Sequence, residues 1–389
     1  MLINVCHSSC LSRNQPKEKH MTTMLTASGG KGGLDGVVVA STRLSDVDGE
    51  RGELILAGHR VEDLAGRCGF ERVLGLLWSG ALPDDAEAAR IAKTLGEARV
   101  RAFAALDPND PALRFDDGMD ALRALVARAR TATKLDLVAS IAVAAAAWQR
   151  TRRGLPLVAP DPSLAHAADV LRMVQGASTP DAAIAALDRY LVTVIDHGMN
   201  ASTFAARVVA STGSDDVSCI VAAIGALKGP LHGGAPGPVL DMLDAVGSAD
   251  GARAWIAGEL AADRRIMGMG HRVYRVRDPR AAVLEAGIEV LERAGVARGK
   301  LALARAVERE AEAQLAALHP DRPLRANVEF YTAILLDAVG IDRAAFTPTF
   351  AIGRVAGWCA HVDEQRASGR LIRPASRYVG PMPSVGTPD

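Results

Sequence analysis

Aromatic residues are scarce, 4% of 389 positions in a chain that is 49% hydrophobic. Alanine supplies much of the difference, which favours closely packed helices over a strand-rich fold. Net charge is missing as well. Lys plus Arg and Asp plus Glu each number 45, so nothing global points to nucleic acid or an anionic membrane, and any anion has to be held by a local cluster. Long apolar runs are also lacking: the longest, 138–148, contains Ser140 and is far shorter than the ~20 residues of a membrane span. A soluble protein is expected. The five cysteines, Cys6, Cys10, Cys68, Cys219 and Cys359, are odd in number, scattered and without a CxxC pair. Zinc-ribbon and thioredoxin-like readings therefore lack their ligands, and a reduced cytoplasmic setting fits best.

The length suits two domains or one large one. Residues 1–32 are polar and irregular and end in a glycine-rich run, which reads as a flexible tail. This tail has neither the apolar core of a secretory signal nor the Lys-Ser or Lys-Thr ending of a phosphate-binding loop. Two short β-type runs, 37–40 and 53–56, flank the turn dipeptide Asp48-Gly49 and predict a hairpin. From residue 61 onward apolar positions recur at spacings of three and four, predicting helices over 61–78, 84–105 and 117–149. After a connection with three prolines at 154–162, further helices are expected over 163–175, 181–195, 201–211, 215–227, 237–246, 249–264, 279–294, 300–318, 326–339 and 348–367. The fold expected is all-α with one short N-terminal hairpin.

Two histidines stand in Gly/Pro-rich turns, where helices stop and backbone can approach a ligand closely. One is His232 in Gly-Pro-Leu-His-Gly-Gly-Ala. The other is His271 in Gly-His-Arg-Val-Tyr, followed by Asp-Pro-Arg ending at Arg280. Taken singly, each is more often a surface or capping residue than a catalyst. Together, and joined by His-Gly-Met-Asn-Ala-Ser-Thr-Phe from His197, Asn-Val-Glu-Phe-Tyr from Asn327, Gly-Arg-Val-Ala-Gly-Trp around Arg354 and Ile-Arg-Pro around Arg373, they form an ordered set. That set resembles the citrate synthase family, which includes the 2-methylcitrate synthases, over roughly 33–380.

The resemblance implies a large helical domain, 33–231 with 336–389, and a smaller helical domain, 232–335, closing over a cleft. It also implies condensation of acetyl-CoA with oxaloacetate to citrate and CoA. Such a reaction needs a desolvated carboxylate base beside the thioester and hydrogen-bond donors where charge develops. By motif match, Glu329 is the base, His232 donates to the thioester oxygen, and His271 polarises the ketone. His197, Arg280, Arg354 and Arg373 bind oxaloacetate, since guanidinium groups hold carboxylates bidentately. Arg373 is implied to reach the neighbouring subunit's site, hence a homodimer. Arg275 matches a CoA-binding position, with Arg272, Arg277, Arg322 and Arg325 nearby.

No tightly bound cofactor or metal is implied; the coenzyme A thioester is a co-substrate. Two positions depart from the common pattern: Glu329 stands where Asp is usual, and Gly198 where Glu often follows the histidine. The first lengthens the base by one methylene. The second removes a side chain that would support the His197 loop. Two other readings remain beside the first: 2-methylcitrate synthesis from propionyl-CoA, since one methylene discriminates by only ~1–3 kcal/mol, and a non-catalytic paralogue that binds acyl-CoA or oxaloacetate.

Overall fold

A computed structural model describes residues 34, 36–129, 133–232, 236–297, 299–321 and 324–383. The chain divides at Thr42. Residues 34 and 36–41, the described part of the first unit, contain neither helix nor strand. The expected strand at 37–40 is therefore absent. Val38 is 87% exposed, and β-propensity without a pairing partner does not make a strand. The tail over 1–32 and Arg322 lie outside the described residues.

The unit from Thr42 opens with a three-stranded antiparallel sheet, β1 (Ser45–Asp48), β2 (Glu53–Leu56) and β3 (His59–Arg60). Ser45 pairs with Leu56 and Asp48 with Glu53, so the hairpin turns at the predicted Asp48-Gly49. Leu54 and Leu56 point into the core, while Glu53 and Ile55 are half-buried.

Fifteen α-helices follow among the described residues: α1 (Val61–Leu64), α2 (Phe70–Ser79), α3 (Asp85–Ala104), α4 (Gly118–Val126), α5 (Lys134–Arg152), α6 (His166–Gln175), α7 (Asp181–Thr193), α8 (Ala201–Ala210), α9 (Asp216–Leu227), α10 (Pro236–Val246), α11 (Ala252–Ala261), α12 (Pro279–Arg293), α13 (Lys300–Leu318), α14 (Val328–Ala338) and α15 (Phe346–Ser368). None is long and apolar enough to cross a membrane. Two predicted helices are each broken in two. The span 61–78 stops at Leu64 and restarts after Gly69, with Gly66 in the left-handed region at φ 83°. The span 117–149 restarts at a capping box, in which Asp136 N–H donates to Thr133 Oγ1 (3.2 Å) and Thr133 N–H to Asp136 Oδ2 (3.1 Å). Apolar spacing continues across both breaks, and caps rather than periodicity set the ends.

Helix α5 is the centre of the core. It is buried from Leu137 to Arg150 at every position but Ser140, and its alanines let α3, α4, α6 and α15 pack against it. Helix α15 crosses from α5 to the end of α7. There Gly353 and Gly357 are required by close approach, since a Cβ on Gly357 would meet Ile195 O at 2.3 Å. Helices α10–α14 pack largely on one another, and α12 also packs on α7.

Candidate active site

The glycines before His271 join two distant segments. Met269 forms an antiparallel bridge with Ala326. Gly270 N–H donates to Arg325 O (2.7 Å), and Asn327 N–H donates to Gly268 O (2.9 Å). Gly268 and Gly270 have φ of 74° and 87°, and a Cβ at either would sit 2.9 Å from Phe330 or Leu324. Only glycine meets both demands. The bridge sets His271 beside the start of α14, whose first turn carries Glu329 and whose cap is Asn327, accepting from Glu329 N–H (3.0 Å). Asp278 completes the junction. It caps α12, accepts from Val328 N–H (3.1 Å), and takes Arg280 Nε and Nη2 bidentately (3.0 and 2.8 Å).

The protonation of His271 follows from its partners. Its Nδ1 lies 3.0 Å from the backbone N–H groups of both Val273 and Tyr274, so Nδ1 accepts and Nε2 carries the proton. Burial, with Arg280 nearby, pushes its pKa down to about 4, so the ring is neutral at pH 7. Nε2–H lies 3.5 Å from Arg280 Nη2. Two donors converge here, of which Arg280 Nη2 also holds Asp278 Oδ2, and such a pair suits an anionic or carbonyl oxygen. His197 joins this group, its ring centroid 5.7 Å from that of His271 and its Nε2 3.2 Å from Tyr274 Oη. Burial holds His197 well below the usual imidazole range.

His232 precedes α10, and its Nε2 lies 2.8 Å from Ser202 Oγ. Trp358 Nε1 donates to that oxygen (3.1 Å), and Asn200 Oδ1, the cap of α8, is 2.8 Å from it. Burial and then Arg354 lower the His232 pKa to about 4. It is therefore a neutral imidazole at pH 7 with one nitrogen tied to Ser202.

Arg354 is 1% exposed and stacks over Phe350 at 4.5 Å. Its Nε donates to Val194 O (2.6 Å), but its Nη2 is buried with no hydrogen-bond partner among the described residues. A buried cationic donor without an acceptor is costly, and burial lowers this guanidinium to about 10. Glu329 is perturbed in the opposite direction. Burial raises its carboxyl to about 7 against the opposing pull of Arg280, with Asp278 adding to the rise. A carboxylate base near neutrality, neutral imidazole donors and a guanidinium lacking its anion suit proton abstraction beside a carbonyl.

The sequence reading passed over the support that the hairpin gives both histidine loops. Ser45 Oγ donates to Asp196 Oδ2 (2.5 Å) and accepts from Gly198 N–H (2.8 Å), while Gly49 O accepts from Arg275 N–H (2.9 Å). Gly198 has φ 59°, a conformation that costs a residue with a side chain. The His197 loop is thus held through its backbone by Ser45. Asp278, Tyr274 and Ser202 were also missed as partners, although all three lie inside the quoted motifs. No signal marked Ser45.

His197, His232, His271, Arg280, Arg354 and Glu329 face one region, linked by the contacts and electrostatic neighbours above. Arg373 does not join them in this chain; it is exposed. Arg272 and Arg275 are exposed on the segment after His271. Arg277 is ion-paired with Glu285 (2.7 Å) and Glu308 (2.6 Å), and Arg325 with Glu312 (2.6 Å), all lining a groove of about 610 Å³.

Residues 33–375 match the family described as citrate synthase, C-terminal domain. The chain is 38% identical to a citrate synthase of Haloferax volcanii over 90% of this chain and 96% of that protein. It is also 38% identical to a 2-methylcitrate synthase of Mycobacterium tuberculosis over 90% of each. Its structure resembles that of a citrate synthase from Thermoplasma acidophilum solved as a ternary complex with carboxymethyl coenzyme A and oxaloacetate, with a TM-score of 0.77, 27% identity and 91% of this chain covered against 97% of that one. With the motifs assembled at one site and the family match spanning nearly the whole chain, this protein belongs to the citrate synthase family.

Proposed function

We propose that this chain condenses acetyl-CoA with oxaloacetate and hydrolyses the resulting thioester, releasing citrate and CoA. The observation carrying this reading is the combination of an unpartnered buried donor, Arg354 Nη2, and the converging His271 and Arg280 side chains with a carboxyl raised to about 7 at Glu329. Glu329 takes a proton from the methyl carbon of the thioester while His232 donates to the thioester oxygen. The enol carbon then attacks the ketone of oxaloacetate, whose oxygen His271 polarises from Nε2. Arg280 and Arg354 receive the carboxylates, and His197 adds a further contact. Water finally cleaves the thioester and the thiol leaves.

Arg272 and Arg275, exposed beside His271, are the readier contacts for CoA phosphates. Arg277 and Arg325 serve there only by exchanging the carboxylates they now hold. In this reading residues 232–335 act as the small domain that closes over the cleft, and the protein works in the cytoplasm. The test is thiol release from acetyl-CoA, and separately from propionyl-CoA, with oxaloacetate present. Release with acetyl-CoA supports the reading, a strong preference for propionyl-CoA would reassign it to 2-methylcitrate synthesis, and binding without thiol from either would make it a regulatory binder.

We also propose a homodimer in which Arg373 enters the partner's site. His232→Ala and Arg373→Ala, each inactive alone, are then expected to regain activity when co-assembled, because one of the two sites carries neither lesion. Verified heterodimers that stay inactive would count against the shared site.

A further inference from the structure

Among the described residues, Gln149, His166, Tyr190 and Arg354 carry buried polar atoms without a partner. Tyr190 and Arg354 come from helices that touch. Tyr190 lies on α7 one turn before Val194, to whose N–H its carbonyl is bonded (3.1 Å), and Val194 O is where Arg354 Nε docks. Residues four apart on a helix share a face. Gly353 brings α15 onto Leu191, where a Cβ would meet Leu191 O at 3.0 Å. The Tyr190 hydroxyl is 0% exposed and within electrostatic reach of Arg354, Glu329 and Arg280.

Burying a hydroxyl that bonds to nothing is unfavourable, and phenylalanine would fill the same space without that cost. Two orphan groups on touching helices and within electrostatic reach of one another, a phenol and a guanidinium, suit an acceptor with more than one lone pair, such as a carboxylate. We propose that the Tyr190 hydroxyl is a second donor to the substrate carboxylate that Arg354 receives, so that a keto diacid is held there by a phenol as well as a guanidinium. This assignment rests on the condensation reading and adds a substrate-binding residue to it. Burial raises the phenol's pKa, so it stays a donor throughout the working range.

The test is Tyr190→Phe in the full chain, with kinetics at saturating acetyl-CoA and varied oxaloacetate, and thermal denaturation with and without oxaloacetate alone. The KM for oxaloacetate is expected to rise about tenfold to a hundredfold, as for a lost hydrogen bond to a charged group. The KM for acetyl-CoA should hold, the unliganded Tm should stay or rise, and the Tm gain from oxaloacetate should shrink. A Tm gain equal to that of the wild type would overturn the assignment alone. So would a fall in unliganded Tm with normal oxaloacetate KM, which marks a structural hydroxyl. An upward shift of the kcat pH midpoint with KM unchanged would also overturn it, placing the hydroxyl on Glu329 instead. Wild-type protein that oxaloacetate does not stabilise, and that releases no thiol, would remove the parent reading and this assignment together.

Discussion

Glu329→Gln is expected to lower kcat by about 10²–10⁴-fold, the usual contribution of a positioned general base, while leaving oxaloacetate-induced stabilisation intact. The amide keeps the shape and hydrogen-bonding reach of the side chain but has no basicity. In the wild type, kcat should rise with pH through about 7 as the carboxyl ionises. Stability moves the other way. The folded-state pKa is raised above the ordinary 4.5, so between about 4.5 and 7 the folded chain keeps a proton that the unfolded chain has lost. Stability from this group therefore falls as pH rises through that window and is level above it. Glutamine removes the dependence, so the variant should melt higher than wild type above pH 7 and show no such gain below about 4.5. Turnover near normal in Glu329→Gln would take the residue out of the mechanism, and steady-state kinetics with parallel melting curves across pH decide both points.

Arg354→Met is expected to lower kcat/KM for oxaloacetate by about 10²–10⁴-fold, because removing one partner of a buried charge pair costs ~3–5 kcal/mol. The change removes Nη2, which has no partner among the described residues, so the loss should appear on substrate binding and not on the fold. The unliganded Tm should change little. Losing the Nε bond to Val194 O (2.6 Å) destabilises, relief of an unpaired buried charge stabilises, and methionine still packs on Phe350. The KM for acetyl-CoA should move much less than that for oxaloacetate. If oxaloacetate kcat/KM were unchanged, the carboxylate would have to be held elsewhere. A lysine at this position should recover only part of the loss, because an ammonium lacks the planar fork.

These two effects act on opposite sides of one electrostatic arrangement. A carboxylate is destabilised at Glu329 and a guanidinium is left incomplete at Arg354, both by burial. A bound dicarboxylate would satisfy the guanidinium groups. Excluding water from the site strengthens each of these interactions. His232 and His271, held near a pKa of 4, are neutral at pH 7 and add no positive charge to the site.

The departure at Gly198 shows why a sequence comparison and a structure give different answers. In the sequence the missing side chain reads as lost support for His197. In the structure the backbone N–H of Gly198 finds Ser45 Oγ at 2.8 Å, a residue 153 positions away and in the hairpin. Local pattern carries no information about a contact of that separation.

By itself, the sequence determined that the chain is helical and that one hairpin turns at Asp48-Gly49, and its ordered motifs name the histidines, arginines and acid proposed to react. Helical period, turn chemistry and ordered motifs are local properties, and each is complete within a few residues. Tertiary structure alone decided where apolar periodicity is interrupted at Gly66 and Thr133, and that Arg277 and Arg325 meet carboxylates. It alone also decided that Tyr190 and Arg354 each carry a buried polar atom without a partner among the described residues. Those outcomes depend on desolvation and on contacts between distant segments, which exist only once the helices have packed.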